Sequence, residues 1–133
     1  DVGGRRLGSY SSYVKVARPF WKARLGLDKR VYAPGDLVLS RPENYGTKLM
    51  TYGEGFTVQR WAQGGWSPAP KLQPDGVLLW LGLSGPGAPG RCSPLGLPEG
   101  VERGWYRLVK SVSEPLRGDR SRLHRLTASF FVK

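Results

Sequence analysis

Trp21, Ala23, Leu25 and Leu27 alternate with Lys22, Arg24, Gly26 and Asp28, the period of a half-buried strand with one wet face. Ala33-Pro34-Gly35-Asp36 then supplies turn chemistry, with Pro34 fixing φ and Gly35 free to take positive φ. Leu37 and Leu39 resume the alternation, so two strands pair around a short loop. Phe56 and Val58 alternate with Thr57 and Gln59, and the run ends at Trp61-Ala62-Gln63-Gly64-Gly65-Trp66, where two glycines between aromatics predict a hairpin turn. Val77 to Leu83 is a continuous apolar run, too short and too Gly-flanked for a helix, and predicts a buried strand. Residues 84–100 hold five glycines and four prolines and read as a loop.

The last third is rich in β-formers over 104–110, and Leu126, Ala128, Phe130 and Val132 alternate with Arg125, Thr127, Ser129 and Phe131. Two long strands therefore bracket a polar, basic connection at 113–124. No amphipathic helical segment of ten or more residues stands out, so the chain predicts about seven strands at sandwich spacing. Residues 1–20 do not fit this scheme. Their Gly, Ser and Tyr content predicts an extension that orders only on docking, so the expected division is 1–20 as an interaction arm and 21–133 as the sandwich.

Composition narrows the class. A length of 133 residues suits one domain with a single core, and the fifteen aromatic residues are too many for a disordered tail. One Cys excludes an internal disulfide, and one Cys with one His is too few for an ordinary zinc site. No stretch approaches the roughly 20 apolar residues of a membrane-spanning helix. Opening on Asp1 without a charged and then apolar leader, the chain reads as a processed product or an excised segment. The net charge of +11 is unevenly spread: +6 over residues 1–33, zero over 34–100 and +5 over 101–133. Arg outnumbers Lys 14 to 7, which favours bidentate contacts with carboxylate or phosphate.

Several segments taken in order resemble the bacterial immunoglobulin-like domains appended to envelope and secreted proteins. Val31-Tyr32-Ala33-Pro34-Gly35-Asp36 resembles the family's opening Y-x-P-G-E turn, and residues 52–61, from Tyr52-Gly53 through Phe56 to Trp61, its Y-G-x-x-F strand. Gly65-Trp66 resembles the start of the next segment, residues 103–110 its strand ending in P-G-x-Y-R, and residues 126–132 its closing strand. The resemblance spans residues 22–133. It departs at Pro42-Glu43-Asn44-Tyr45, where the family keeps a plain polar turn, and the basic N-terminal extension lies outside it. It implies an immunoglobulin-like β-sandwich in an extracellular or cell-envelope protein, acting without catalysis. Tyr106 is then placed for a corner at which its phenol bonds main chain. With no cysteine pair across the sheets, Phe56, Trp61, Trp66, Trp80 and Trp105 are expected to supply much of the core; the alternative is a ligand-stacking platform of the single-strand-binding kind.

Candidate chemistry is sparse. His124 is the sole histidine, its neighbours Arg122, Leu123 and Arg125 include no carboxylate to orient it, and a strand-end histidine facing water is the expectation. The carboxylates are scattered without a paired motif, Cys92 is a lone loop thiol beside Arg91, and Gly85 to Gly90 lacks the Lys-Ser/Thr and helix of a phosphate loop. Arg117-Gly118-Asp119 spells the integrin-recognition tripeptide, but a turn built on Gly118 explains it. No catalytic, cofactor-binding or metal-binding residue is nominated.

The basic ends are the functional lead. The first and last strands of such a sandwich lie near one edge, so Arg24, Lys29 and Arg30 are expected to converge with Arg120, Arg122 and Arg125 on an edge for an anionic partner, such as an acidic protein or a cell-surface polymer. Tyr10, Tyr13, Val14, Val16 and Phe20 are the candidate arm for a protein partner or for self-assembly. The alternative is a small basic β-domain binding nucleic acid through phosphate contacts, supported by Tyr10, Tyr13, Phe20 and Trp21 interleaved with Lys15, Arg18 and Lys22.

Overall fold

The computed structural model describes residues 19–53, 55–73, 81–85, 87 and 90–133. Most of the expected arm, including Tyr10, Tyr13, Val14 and Val16, and the start of the apolar run with Trp80, lie outside the described residues. Among those described, the chain forms ten strands and one short 3-10 turn at Pro70–Leu72. The strands are β1 (Ala23–Leu27), β2 (Val31–Tyr32), β3 (Leu37–Asn44), β4 (Met50–Gly53), β5 (Thr57–Ala62), β6 (Gly65–Pro68), β7 (Leu81–Ser84), β8 (Ser93–Gly96), β9 (Gly104–Pro115) and β10 (Ser121–Val132).

They form two sheets, β1-β3-β8 and β2-β10-β9-β4-β7, the second joined by the β5–β6 hairpin through pairing of β5 with β9. All pairings are antiparallel except β2 with β10, where Val31 and Val132's neighbour Phe131 stand abreast and the strands run parallel. The chain thus starts in the small sheet as β1 and crosses to the large one as β2. With β1, β3 and β8 in one sheet and β4, β9 and β10 in the other, the strands divide as they do in the immunoglobulin-type arrangement. The fold is an all-β immunoglobulin-like sandwich.

Both sheets feed one core. Leu25, Val38 and Leu95 come from the small sheet; Tyr32, Met50, Val58, Tyr106, Leu108, Val112, Phe130 and Val132 come from the large one. Even-numbered positions of β9 and β10 face inward because their register pairs Tyr106 with Phe130 and Leu108 with Ala128. The expected corner is present: the Tyr106 hydroxyl donates to the Glu102 carbonyl at 2.7 Å, and its ring stacks on Phe130 with centroids 5.7 Å apart.

Several expected details change. Trp61 and Trp105 are exposed and Trp66 is half-buried, so of the described members of the aromatic set expected in the core, Phe56 alone is found there. The register explains it: Trp61 and Trp105 fall on odd positions whose side chains point away from the partner sheet. In β3 the inward positions are Val38 and Ser40, not Leu37 and Leu39, and the strand continues through Pro42 to Asn44 where a loop was expected. Pro42 is tolerated because the ladder with β8 stops at the Ser40–Ser93 pair. The expected loop at 84–100 contains β8. The connection expected over 113–124 shrinks to residues 116–120, closed by Leu116 N–H donating to the Arg120 carbonyl at 2.9 Å, with Gly118 at φ 71°. Arg117-Gly118-Asp119 is that exposed turn.

Candidate functional site

The crossing from β1 to β2 builds a surface. Tyr32, fully buried, sends its hydroxyl back beneath the crossing, where it donates to Asp28 Oδ1 at 2.6 Å and accepts from the Lys29 N–H at 3.0 Å. Leu39 N–H also donates to Asp28 Oδ1, at 3.0 Å. Burial draws the Asp28 carboxyl upward, but these two donors outweigh it and hold the group below its ordinary pKa. Asp28 therefore stays ionised at this corner, and the chain leaves it with Lys29 and Arg30 also at the surface.

Beside the corner lies a cleft of about 630 Å³. One wall is β1 and the crossing, from Arg24 to Arg30; the opposite wall is Thr127, Ala128 and Ser129 of β10. Leu39, Arg41 and Glu43 of β3 and the exposed thiol of Cys92 complete the lining. Glu43 is taken by Arg24, whose Nε lies 3.3 Å from Glu43 Oε1. Asp28 keeps its charge in the same lining, next to Lys29, and three cations, Lys29, Arg30 and Arg41, face the cleft with no salt bridge of their own among the described residues.

The cleft has a main-chain edge as well. Phe131 N–H donates to the Arg30 carbonyl at 2.8 Å and Lys133 N–H to the Tyr32 carbonyl at 3.0 Å, so odd positions of β10 direct their backbone groups to this side. β2 begins only after the 28–30 crossing from β1. The backbone groups of Ser129 and Thr127 thus reach the cleft beyond the last parallel pair.

Of the six basic residues expected on one edge, the structure brings Arg24, Lys29 and Arg30 together at this cleft. Arg125 lies two residues before the wall residue Thr127. Arg120 belongs to the 116–120 turn, and Arg122 sits about 17 Å along β10 from Thr127 at the usual strand rise. Neither lines the cleft. Phe20, the described end of the expected arm, is 49% exposed, and its backbone is tied to the 46–48 bend by Thr47 N–H donating to the Phe20 carbonyl at 2.9 Å. Gly46 is needed there, since a Cβ would fall 2.5 Å from the Phe20 carbonyl oxygen.

His124 departs from expectation. It lies within β10 and not at a strand end, is half-buried, stacks on Trp21 with centroids 4.1 Å apart, and is oriented by a carboxylate after all: its Nε2 is 2.8 Å from Glu114 Oε1. Glu114 is buried and also accepts from Lys48 Nζ at 2.6 Å. Hydrogen bonds from Lys48 and then His124 hold its carboxyl below the usual range against the cost of burial. A second buried charge, Lys110, donates from Nζ to the carbonyls of Gly53 at 2.7 Å and Gly55 at 3.0 Å, pinning the link between β4 and β5. Neither cluster was expected from the sequence. Among the described residues no group of three or more His, Cys, Asp or Glu gathers as a metal site, and no helix is long and apolar enough to cross a membrane.

No protein-family model matches the chain, and no curated protein matches it in sequence. Among solved structures it is similar to the ASH/PapD-like domain of human CEP192 (PapD-like domain 7), with 18% identity and a TM-score of 0.41 over 83% of this chain and 85% of that one. The class that the strand order defines is the immunoglobulin-like sandwich.

Proposed function

We propose that the chain is a non-enzymatic interaction module that binds an anionic partner in the cleft between β1 and β10. The observation that carries this is the balance of charges in the lining: Arg24 and Glu43 pair with each other, and Lys29, Arg30 and Arg41 outnumber the remaining carboxylate, Asp28, around an open cavity. A concave surface whose cations outnumber its carboxylates focuses its field on an incoming polyanion. In this reading His124, held between Trp21 and Glu114, braces the β9–β10 hairpin. Residues 1–20 serve in this reading as an interaction arm, and an extracellular or cell-envelope setting fits the family resemblance.

The test is binding of polyphosphate and of poly-L-glutamate, read by fluorescence anisotropy, to two charge-reversed variants of equal net charge. Lys29→Glu/Arg30→Glu should lose binding at least tenfold, and Arg120→Glu/Arg122→Glu should change it no more than about threefold. Equal losses in the two variants would show attraction to net charge alone and contradict the cleft.

A further inference from the structure

The three tryptophans missing from the core stand in one row on the outer face of the large sheet. The ladder pairs Val31 with Phe131, Phe131 with Trp105, and Trp61 with Trp66. The β5–β9 register, running from Thr57–Val109 to Arg60–Tyr106, brings Trp61 opposite Trp105 at its next step. The row Val31-Phe131-Trp105-Trp61-Trp66 therefore crosses five strands, about 19 Å at the ordinary spacing. Val31 and Trp105 are each 49% exposed and Trp61 is 44% exposed. Rings that would gain most from burial stand in water.

Their surroundings carry one sign. Arg107 places its guanidinium over Trp66, 4.6 Å from the ring centroid, and is fixed there by Nε donating to Gln59 Oε1 at 2.6 Å. No Asp or Glu occupies an outward position of the described strands of this sheet, and the nearest carboxylate in sequence, Glu102, is paired with Arg60. The row also meets the cleft: Val31 follows Arg30, and Phe131 lies two residues beyond the cleft wall at Ser129. A second copy of the chain, itself at +11, is a poor occupant of such a face. The rings stand at 69° and 65° within the Trp61–Trp66 and Trp105–Phe131 pairs, which does not make the flat platform that a sugar ring needs. It does offer separate ring faces and a guanidinium plane, the surfaces on which unstacked bases lie.

We infer that the anionic partner is single-stranded nucleic acid, its phosphates drawn to the cleft and its bases stacked on Trp105, Trp61 and the Arg107–Trp66 pair. The inference rests on the cleft reading above and adds the bases to it. The row offers three stacking places and so accommodates about three bases.

The experiment compares a 16-residue oligothymidylate with an abasic deoxyribose-phosphate chain of the same length, titrated at two salt concentrations into the wild-type chain, Trp105→Ala, Trp61→Ala and Trp105→Phe. The expected result is about tenfold tighter binding of the oligothymidylate, lost to the abasic level in both alanine variants and largely kept in Trp105→Phe, with abasic binding unchanged throughout. Equal binding of the two polymers by the wild-type chain overturns the inference and leaves the cleft standing. Binding of neither polymer at low salt overturns both. An acidic Glu-Leu repeat peptide that binds the row more tightly than the oligothymidylate, and is lost in Trp105→Ala, assigns the row to an acidic protein and also overturns it.

Discussion

Tyr32 and Glu114 do opposite electrostatic jobs in the same core. Burial, and then the hydrogen bond to Asp28, push the Tyr32 phenol well above its ordinary range, so the folded state keeps it neutral and loses stability as pH rises past about 10, where an unfolded tyrosine ionises. Glu114 and Asp28 are both held below their ordinary values, so the stability they add is complete above about pH 4 to 5 and is lost as pH falls through their folded-state values. Chemical denaturation across pH should show a plateau at neutral pH falling on both sides, and Glu114→Gln should lower the plateau and shrink the acid limb. An acid limb unchanged in Glu114→Gln would remove the carboxylate from this account. These residues were not legible in the sequence because alternation assigns charged residues to the wet face, whereas Glu114 and Lys110 share the inward positions with Tyr106 and Val112. The Glu114–His124 contact was hidden for a related reason. Once the turn is placed at 116–120, Glu114 lies opposite Arg122 and diagonal to His124, a separation long side chains span; a connection drawn over 113–124 dissolves that register.

At the level of elements, the alternating strands were the readable part. β1, β5 and β10 follow their apolar periods, β9 was legible from its β-formers alone, and the hairpin expected at the glycines between Trp61 and Trp66 turns at Gln63 and Gly64, with φ of 53° and 79°. Positive φ at both central positions matches the twist of the flanking strands. The strands lacking such a signal were missed or shortened: β8 is Ser-Pro-Leu-Gly, and β3 carries Pro42. Their partners across the ladder make them strands, and an alternation rule sees only one strand at a time. A side chain completes one ladder outright. Gln73 accepts from Val58 N–H at 3.1 Å and donates from Nε2 to the Val58 carbonyl at 2.9 Å and the Ala69 carbonyl at 2.7 Å, doing for β5 what a neighbouring strand would do. Gln73→Leu leaves the Val58 N–H unpaired, while the Val58 and Ala69 carbonyls still accept from Ala69 and Leu72 N–H, and should cost about 1–3 kcal/mol in urea denaturation, with faster hydrogen exchange at Val58; unchanged exchange there would show that the clamp is dispensable.

For the molecule as a whole, the basic ends of the sequence acquire a geometry. β1 and β2 from one end of the chain lie beside β10 from the other, and the crossing between sheets turns part of that excess charge into a cleft wall. The linear charge count expected six cations on one edge; strand length decides otherwise, because a twelve-residue β10 carries Arg122 far from the corner that holds Lys29 and Arg30. The aromatic row was equally out of reach, since it requires the registers of five strands at once. The central claim is that an anionic partner sits at the sheet crossing. It is tested most directly by an NMR titration of the isotope-labelled chain with polyphosphate, following every backbone amide. The account predicts shifts concentrated at Lys29, Arg30, Arg41 and Thr127 to Ser129. Shifts concentrated at Arg117 to Arg122, or spread evenly over the basic residues, would contradict it.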